Sequence, residues 1–242
     1  VLDFKSMYPS IMISNNICST TLVKDGSEDE NHSVSPTTST RYISKEERLG
    51  LVPQLLDGLM QSRDSHKAAL AKANEEGDEE AAFLQDQLQY AVKILMNSFY
   101  GVFASNFYRF THPSLGASIT EWARYNIKSI ISKVEDEGHS VVYSDTDSIF
   151  VRAPVDEGSP KNRPTDSEDL EKWEGAMSTS MEFGESLAER FTKEGAELEF
   201  ETALSSFFSH GAKKRYVGRV VWPREEMLIR GYEVRRTDSF QI

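Results

Sequence analysis

The sequence predicts an α+β protein, and three observations carry that reading. Val141–Val151 runs VVYSDTDSIFV, two short apolar runs around a polar Asp-Thr-Asp tip, which is the pattern of an antiparallel hairpin. Leu49–Gly101 carries two successive helical apolar periods separated by a charged break, the pattern of a helical hairpin. Glu197–Glu201 alternates charged and apolar residues, and Val217, Val220, Val221 and Trp222 continue in strand-like fashion.

In chain order, Val1, Leu2 and Phe4 form a short buried strand that encloses Asp3. A carboxylate inside an apolar strand requires a partner or a metal, although a capping or edge role is common for a single Asp. Pro9 suits the first turn of a helix through Ile11, Met12 and Ile13. Lys24–Thr40 is polar and reads as a surface loop.

The first long helix is set by Leu51, Val52, Leu55, Leu56, Leu59 and Met60, with Pro53 tolerated near its start. Glu75-Glu76-Gly77-Asp78 marks the turn, and Phe83, Leu84, Leu88, Val92 and Leu95 set the second helix. Arg63 and Lys67 are four apart and share a face, as do Lys93, Asn97 and Tyr100. Such a set suits a triphosphate, because Arg presents a planar fork and Lys a point charge. Taken alone, Arg63 and Lys67 read better as a solvated, salt-bridged face; Lys93 and Asn97 do not, because apolar neighbours crowd them and Gly101 follows. Ser114–Glu137 is a core helix ending at Gly138, Pro154–Glu174 a connector without apolar period, and Met177–Lys193 an amphipathic helix.

Asp145 and Asp147 are two apart. Strand alternation continued through the tip would put both carboxylates on one face, where like charges require a cation between them. A solvated acidic turn is the plain alternative for an isolated D-x-D. Lys213-Lys214-Arg215-Tyr216 is the densest basic cluster in a chain of net charge −12. That net charge excludes a generally basic, nucleic-acid-binding surface, so a polyanion must be met by a local patch of this kind; a solubilising strand edge is the alternative. Arg230–Arg236 is basic as well. The single cysteine, Cys18, allows no internal disulfide and no cysteine metal cluster, and makes a reducing compartment the default. No apolar run reaches the ~18 residues of a membrane span. The opening Val1-Leu2-Asp3, already inside a strand, leads us to expect an excerpt of a longer chain.

Four stretches together resemble family B DNA polymerases, in the family's order and across essentially the whole chain. DFKSMYPSI at Asp3–Ile11 resembles the first palm motif, and KILMNSFYG at Lys93–Gly101 the fingers-helix motif. YSDTDS at Tyr143–Ser148 resembles the second palm carboxylate motif, and KKRY at Lys213–Tyr216 the primer-contacting motif. The archaeal branch looks most similar.

The resemblance implies a palm, an RNA-recognition-like antiparallel sheet backed by helices, with an inserted two-helix fingers hairpin. The palm would occupy 1–48 and 105–242, ending at the thumb boundary, and the fingers 49–104. It implies template-directed nucleotidyl transfer from a dNTP to a primer 3′-hydroxyl, with two Mg²⁺ ions for which Mn²⁺ can substitute. Asp3, Asp145 and Asp147 would be catalytic, with Asp3, Asp147, the Phe4 carbonyl and, less directly, Asp145 on the metals. Glu199 or Glu201 would be an auxiliary carboxylate. Ser6, Met7, Tyr8, Arg63, Lys67, Lys93, Asn97 and Tyr100 would bind the nucleotide, and Thr146, Lys213, Lys214, Arg215 and Tyr216 the DNA.

The implied partners are primer–template DNA, dNTPs and the rest of a polymerase chain: N-terminal, exonuclease and thumb parts not expected in this stretch, and through them a sliding clamp. No membrane partner is expected. The implied location is cytoplasmic, at the nucleoid in an archaeon. Ser144 departs from the family, standing where Gly is usual, and Met7 replaces a more usual Leu. Two other readings stand beside this one: a DxD metal-dependent nucleotide-sugar transferase, and a polymerase-like fragment without catalysis that binds DNA or protein.

Overall fold

The computed structural model describes residues 1–24, 27–105, 107–109 and 111–232. The last residues of the basic end, Glu233–Arg236, lie outside the described residues. In chain order the elements are β1 (Leu2–Phe4), α1 (Met7–Ser14), β2 (Ser33–Val34), β3 (Arg41–Tyr42), α2 (Leu51–Glu76) and α3 (Glu79–Phe103). There follow α4 (Pro113–Asp136), β4 (Val141–Asp145), β5 (Ser148–Val151) and α5 (Ser167–Phe191). The chain continues through β6 (Leu198–Phe200), β7 (Ala203–Ser209), β8 (Tyr216–Trp222) and β9 (Glu226–Arg230).

The chain divides into two compact units, and the first comprises Val1–Phe4, Ile127–Thr192 and Glu197 onward. Its main sheet is antiparallel in the order β4-β5-β1-β6. β1 lies inside it because Leu2 and Phe4, each 2% exposed, alternate with Asp3. Helix α5 packs on β6 through Gly184, where a Cβ would sit 2.3 Å from the Phe200 ring. A second antiparallel sheet has the order β7-β8-β9. An aromatic cluster joins the two sheets: Tyr143 of β4 lies 5.1 Å from Tyr216 of β8, and Phe150 of β5 lies 4.9 Å from Phe207 of β7.

The second unit comprises Lys5–Asn126 and Lys193–Ala196. Its α2 and α3 form the predicted helical hairpin. Gly77 closes α2 with φ +72, a left-handed turn that favours glycine, and the Asp78 side chain caps α3 by accepting from the Ala81 N–H. The hairpin buries less than its apolar period implies. Leu56, Ala73, Met96 and Phe103 are inside, whereas Leu51, Leu55, Phe83, Leu84, Leu88 and Leu95 are exposed. Two packed helices share one seam, and a wide apolar stripe exceeds it. Two buried polar residues organise the rest of this unit. Asn16 donates to the Ile43 and Arg48 carbonyls and accepts from Gly50 N–H. Glu121 of α4, 5% exposed, accepts from the Thr37 and Thr38 amides and the Thr38 hydroxyl.

Three other expectations shift. Helix α5 begins at Ser167, inside the predicted connector, because Asp166 caps it and accepts from Asp169 N–H. Strand β7 was not foreseen. The Lys24–Thr40 loop contains β2, which pairs with β3. Among the described residues, no helix is long and apolar enough to cross a membrane.

Candidate active site

In the first unit, strand pairing brings together residues nearly 200 positions apart. Asp3 stands opposite Ser148 of β5 on one side and opposite Glu199 of β6 on the other. Directly opposed antiparallel residues share a face, so the Asp3 and Glu199 carboxylates are cross-strand neighbours of like charge. This separates the two auxiliary candidates. Glu199 faces Asp3, while Glu201 lies past the end of β6 with its amide on the Val1 carbonyl.

The hairpin tip is pinned to β1 by Phe4 N–H, which donates to the Asp147 carbonyl at 2.9 Å. Asp147 itself belongs to the turn, not to a strand. Thr146 adopts φ +56, and Asp147 N–H closes back on the Asp145 carbonyl at 2.6 Å. Alternation therefore breaks at the tip, and the expected common face for the two carboxylates is not produced by strand geometry. Asp145 ends β4 on the side of Tyr143 and is half-buried, whereas Asp147 is exposed.

The basic cluster lies in the turn between β7 and β8, where Lys213, Lys214 and Arg215 are exposed. The Lys214 ammonium donates to Asp145 Oδ1 at 2.7 Å and to Thr146 Oγ1 at 2.8 Å, and its amide donates to Tyr143 Oη at 3.0 Å. The bond to Asp145 raises the Lys214 pKa above its ordinary value; the charges of Asp145 and Asp147 add to this, against a smaller desolvation effect. Tyr216 differs from its expectation. It is 7% exposed within the aromatic cluster, so its ring supports the turn from beneath instead of offering a face to DNA, and burial pushes its phenol pKa up.

The second unit gathers other predicted residues by itself. The Tyr8 and Tyr100 rings lie 4.4 Å apart, and the Arg63 guanidinium reaches Ser6 Oγ at 3.3 Å and Gln89 Oε1 at 3.4 Å. Gln89 is one helical turn from Lys93 and on the same face. Lys93 and Asn97 are exposed, not crowded as their apolar neighbours suggested, and Lys67 is half-buried. Met7, at 5% exposure, is a core side chain, so it offers a ligand only its backbone. Sequence reasoning missed Tyr143, Ser148 and Gln89. The first two lie in the YSDTDS stretch itself, so the motif held a signal for them.

Among the described residues, no three His, Cys, Asp or Glu side chains converge closely enough to hold a metal by themselves. Mg²⁺ does not require a closed cage; it binds through one or two carboxylates and completes its shell with water and phosphate. The donor set meets that requirement. Asp3 offers hard oxygens on β1 and Asp147 offers them in the β4–β5 turn, whose Asp147 carbonyl is bonded by Phe4 N–H, and the opposed like charges of Asp3 and Glu199 favour a cation near them.

Comparison with known proteins bears on the family and the fold. The model of DNA polymerase family B matches residues 1–163. A DNA polymerase of Thermococcus gorgonarius is 31% identical over 245 residues, covering all of this chain and 28% of that protein. DNA polymerase II of Escherichia coli is 29% identical over 250 residues, covering 98% of this chain and 29% of that protein. The chain thus spans less than a third of the length of these relatives. The fold is similar to that of the family B DNA polymerase from the hyperthermophilic archaeon Pyrobaculum calidifontis, with TM-score 0.66 and 24% identity over 96% of this chain and 26% of that one. The family's model matches the first two thirds of the chain, and this leads to one assignment: this chain belongs to DNA polymerase family B.

Proposed function

We propose that this chain is the catalytic part of a DNA-directed DNA polymerase, adding a template-specified dNTP to a primer 3′-hydroxyl. The observation that carries the proposal is the register of β1, which stands Asp3 beside Glu199 and ties Phe4 to Asp147. Residues 1–48 and 105–242 would be palm and 49–104 fingers.

Asp3 and Asp147 would hold divalent metal, Mg²⁺ or Mn²⁺, with the Phe4 carbonyl as a further ligand and Glu199 completing the negative field. Two such ions supply activation of the attacking oxygen and stabilisation of the leaving one in an in-line phosphoryl transfer. Asp145 completes the acidic cluster with Lys214 as its partner. Arg63, Lys67 and Lys93 bind the β- and γ-phosphates, with Asn97 alongside. Tyr8 packs under the sugar and excludes a 2′-hydroxyl, supported by Tyr100 against its ring, and Ser6 steadies Arg63. Lys213, Lys214, Arg215 and Thr146 face the primer–template backbone, whose phosphates give a local basic patch its affinity in an acidic chain. The rest of the polymerase chain supplies the other DNA contacts.

The test is template-dependent nucleotide binding. With labelled primer–template held by excess protein and Ca²⁺ in place of Mg²⁺, the dNTP complementary to the template base should stabilise the complex and the other three should not. Equal stabilisation by all four dNTPs would overturn the proposal, as would Mn²⁺-dependent binding of a nucleotide sugar in preference to any dNTP.

A further inference from the structure

The first unit holds a cavity of about 680 Å³ between helix α5, the connector after β5 and the first half of β7, and none of the residues assigned to polymerisation lines it. Small-molecule sites usually measure about 300–1,000 Å³. Helix α5 lines the cavity with Trp173, Met177 and Ser180, which are spaced four and three apart and so share one face. Further along that face, Gly184 and Leu187 are buried, Gly184 against the Phe200 ring. The helix thus closes on β6 in its second half and stands off around Trp173, Met177 and Ser180, which remain half-buried.

One polar atom of the wall is left unsatisfied. Ser205 of β7 lines the cavity, and its Oγ is buried with no hydrogen-bond partner among the described residues. Such atoms are rare in folded proteins, because each forfeits a hydrogen bond it would make in water. Strand register puts the hydroxyl there. Leu204 pairs with Val220 and Ser206 with Arg219, so two steps along β7 match one along β8, and Ser205 is the extra residue of a β-bulge. A bulge re-aims a side chain; here it sets a hydroxyl in a wall that also contains Leu204 and Phe207. The Ser180 hydroxyl, by contrast, donates to the Ala176 carbonyl at 2.8 Å.

The charged side chains that line the cavity are Arg152, Lys161, Asp156 and Glu157, two of each sign and all exposed. Arg152 is already bonded to Glu157. A charged group taken inside would lose its hydration and meet no buried counter-ion. We propose that this cavity is a binding site for an uncharged, largely aromatic small molecule carrying one hydroxyl, and that Ser205 bonds that hydroxyl. Trp173, Phe183 and Phe207 supply ring faces and edges for the aromatic body. The bulge gives the ligand its single polar contact.

The experiment is equilibrium dialysis of this chain against three probes: β-naphthol, uncharged near neutral pH; naphthalene, which lacks the hydroxyl; and β-naphthoate, which carries a charge. β-Naphthol should bind saturably, about threefold to tenfold more tightly than naphthalene and more than about tenfold more tightly than β-naphthoate. Ser205→Ala should remove the advantage over naphthalene and leave naphthalene binding unchanged. Ala176 lines the cavity one helical turn from Ser180, so Ala176→Phe should fill it and abolish binding of both uncharged probes while the urea melt stays cooperative. Ser180→Phe takes its place if Ala176→Phe does not fold.

Absence of saturable β-naphthol binding would overturn the proposal, as would binding that survives in a folded cavity-filling variant. In Ser205→Ala, equal loss of β-naphthol and naphthalene, or no loss of either, would overturn the role of Ser205. β-Naphthoate binding as tightly as β-naphthol would overturn the uncharged class. The readout involves neither metal nor DNA, so its outcome is separate from that of the polymerase reading.

Discussion

Glu199→Gln should change the sign of its effect on stability when divalent metal is added. Asp3 and Glu199 are directly opposed across β1 and β6, and like charges in that position destabilise a sheet by roughly 0.2–1 kcal/mol. Without metal, neutralising Glu199 should therefore stabilise the chain by about 0.5 kcal/mol. Metal at ten times its dissociation constant stabilises the unaltered chain by about 1.4 kcal/mol. If Glu199 contributes tenfold to metal affinity, the variant gains only about 0.4 kcal/mol at that concentration. The difference of about 1 kcal/mol exceeds the relief of repulsion, so the variant becomes less stable by about 0.5 kcal/mol. Urea denaturation of both proteins, with and without MgCl₂, reads this directly. The same stability difference in both conditions would refute the claim that Asp3 and Glu199 face one cation. A variant less stable than the parent without metal would refute the cross-strand repulsion.

Further predictions concern the scaffold. Gly184→Ala forces a methyl into the Phe200 ring, 2.3 Å from its nearest atom, and should lower stability by about 1–3 kcal/mol in urea melts. Glu121 should make stability pH-dependent. Its burial raises the carboxyl pKa, but bonds from the Thr38 amide, the Ser35 and Thr38 hydroxyls and the Thr37 amide outweigh this and hold it below the ordinary value. A depressed carboxyl stabilises the fold above its unfolded pKa and loses that contribution as pH falls through the folded one. Stability should thus fall on acidification below the ordinary glutamate range, and Glu121→Gln should flatten that part of the profile. Asn16→Ala leaves Gly50 N–H and the Ile43 and Arg48 carbonyls without their shared partner, so at about 1–3 kcal/mol for each unmet buried group it should be among the most destabilising single changes by thermal melt.

Sequence reasoning found the α2–α3 hairpin because its signals are local: a helical period, then Gly77 with Asp78 as break and cap. It found the β4–β5 hairpin for the same reason. It missed β7 because Ser205, Ser206 and Ser209 interrupt the apolar alternation, and the strand is made by pairing with β8. The first turns of α5 are polar, so composition concealed a helix that Asp166 announces as a cap.

In the site, Asp3 was legible as a charge in an apolar strand. The choice of Glu199 over Glu201 was not, because it depends on register between segments far apart in the chain. Alternation misplaced the relation of Asp145 to Asp147, since a left-handed Thr146 resets the face. The burial of Tyr216 and Met7 depends on tertiary partners that no local pattern shows.

The most direct test of the central claim is single-nucleotide primer extension with Mg²⁺, protein in excess over primer–template, comparing this chain with Asp147→Ala. The account predicts addition of the template-specified nucleotide by the unaltered chain and its loss in the variant. Undiminished extension by Asp147→Ala would contradict the account, as would an unaltered chain that neither extends primer nor binds Mn²⁺ through Asp3 and Asp147.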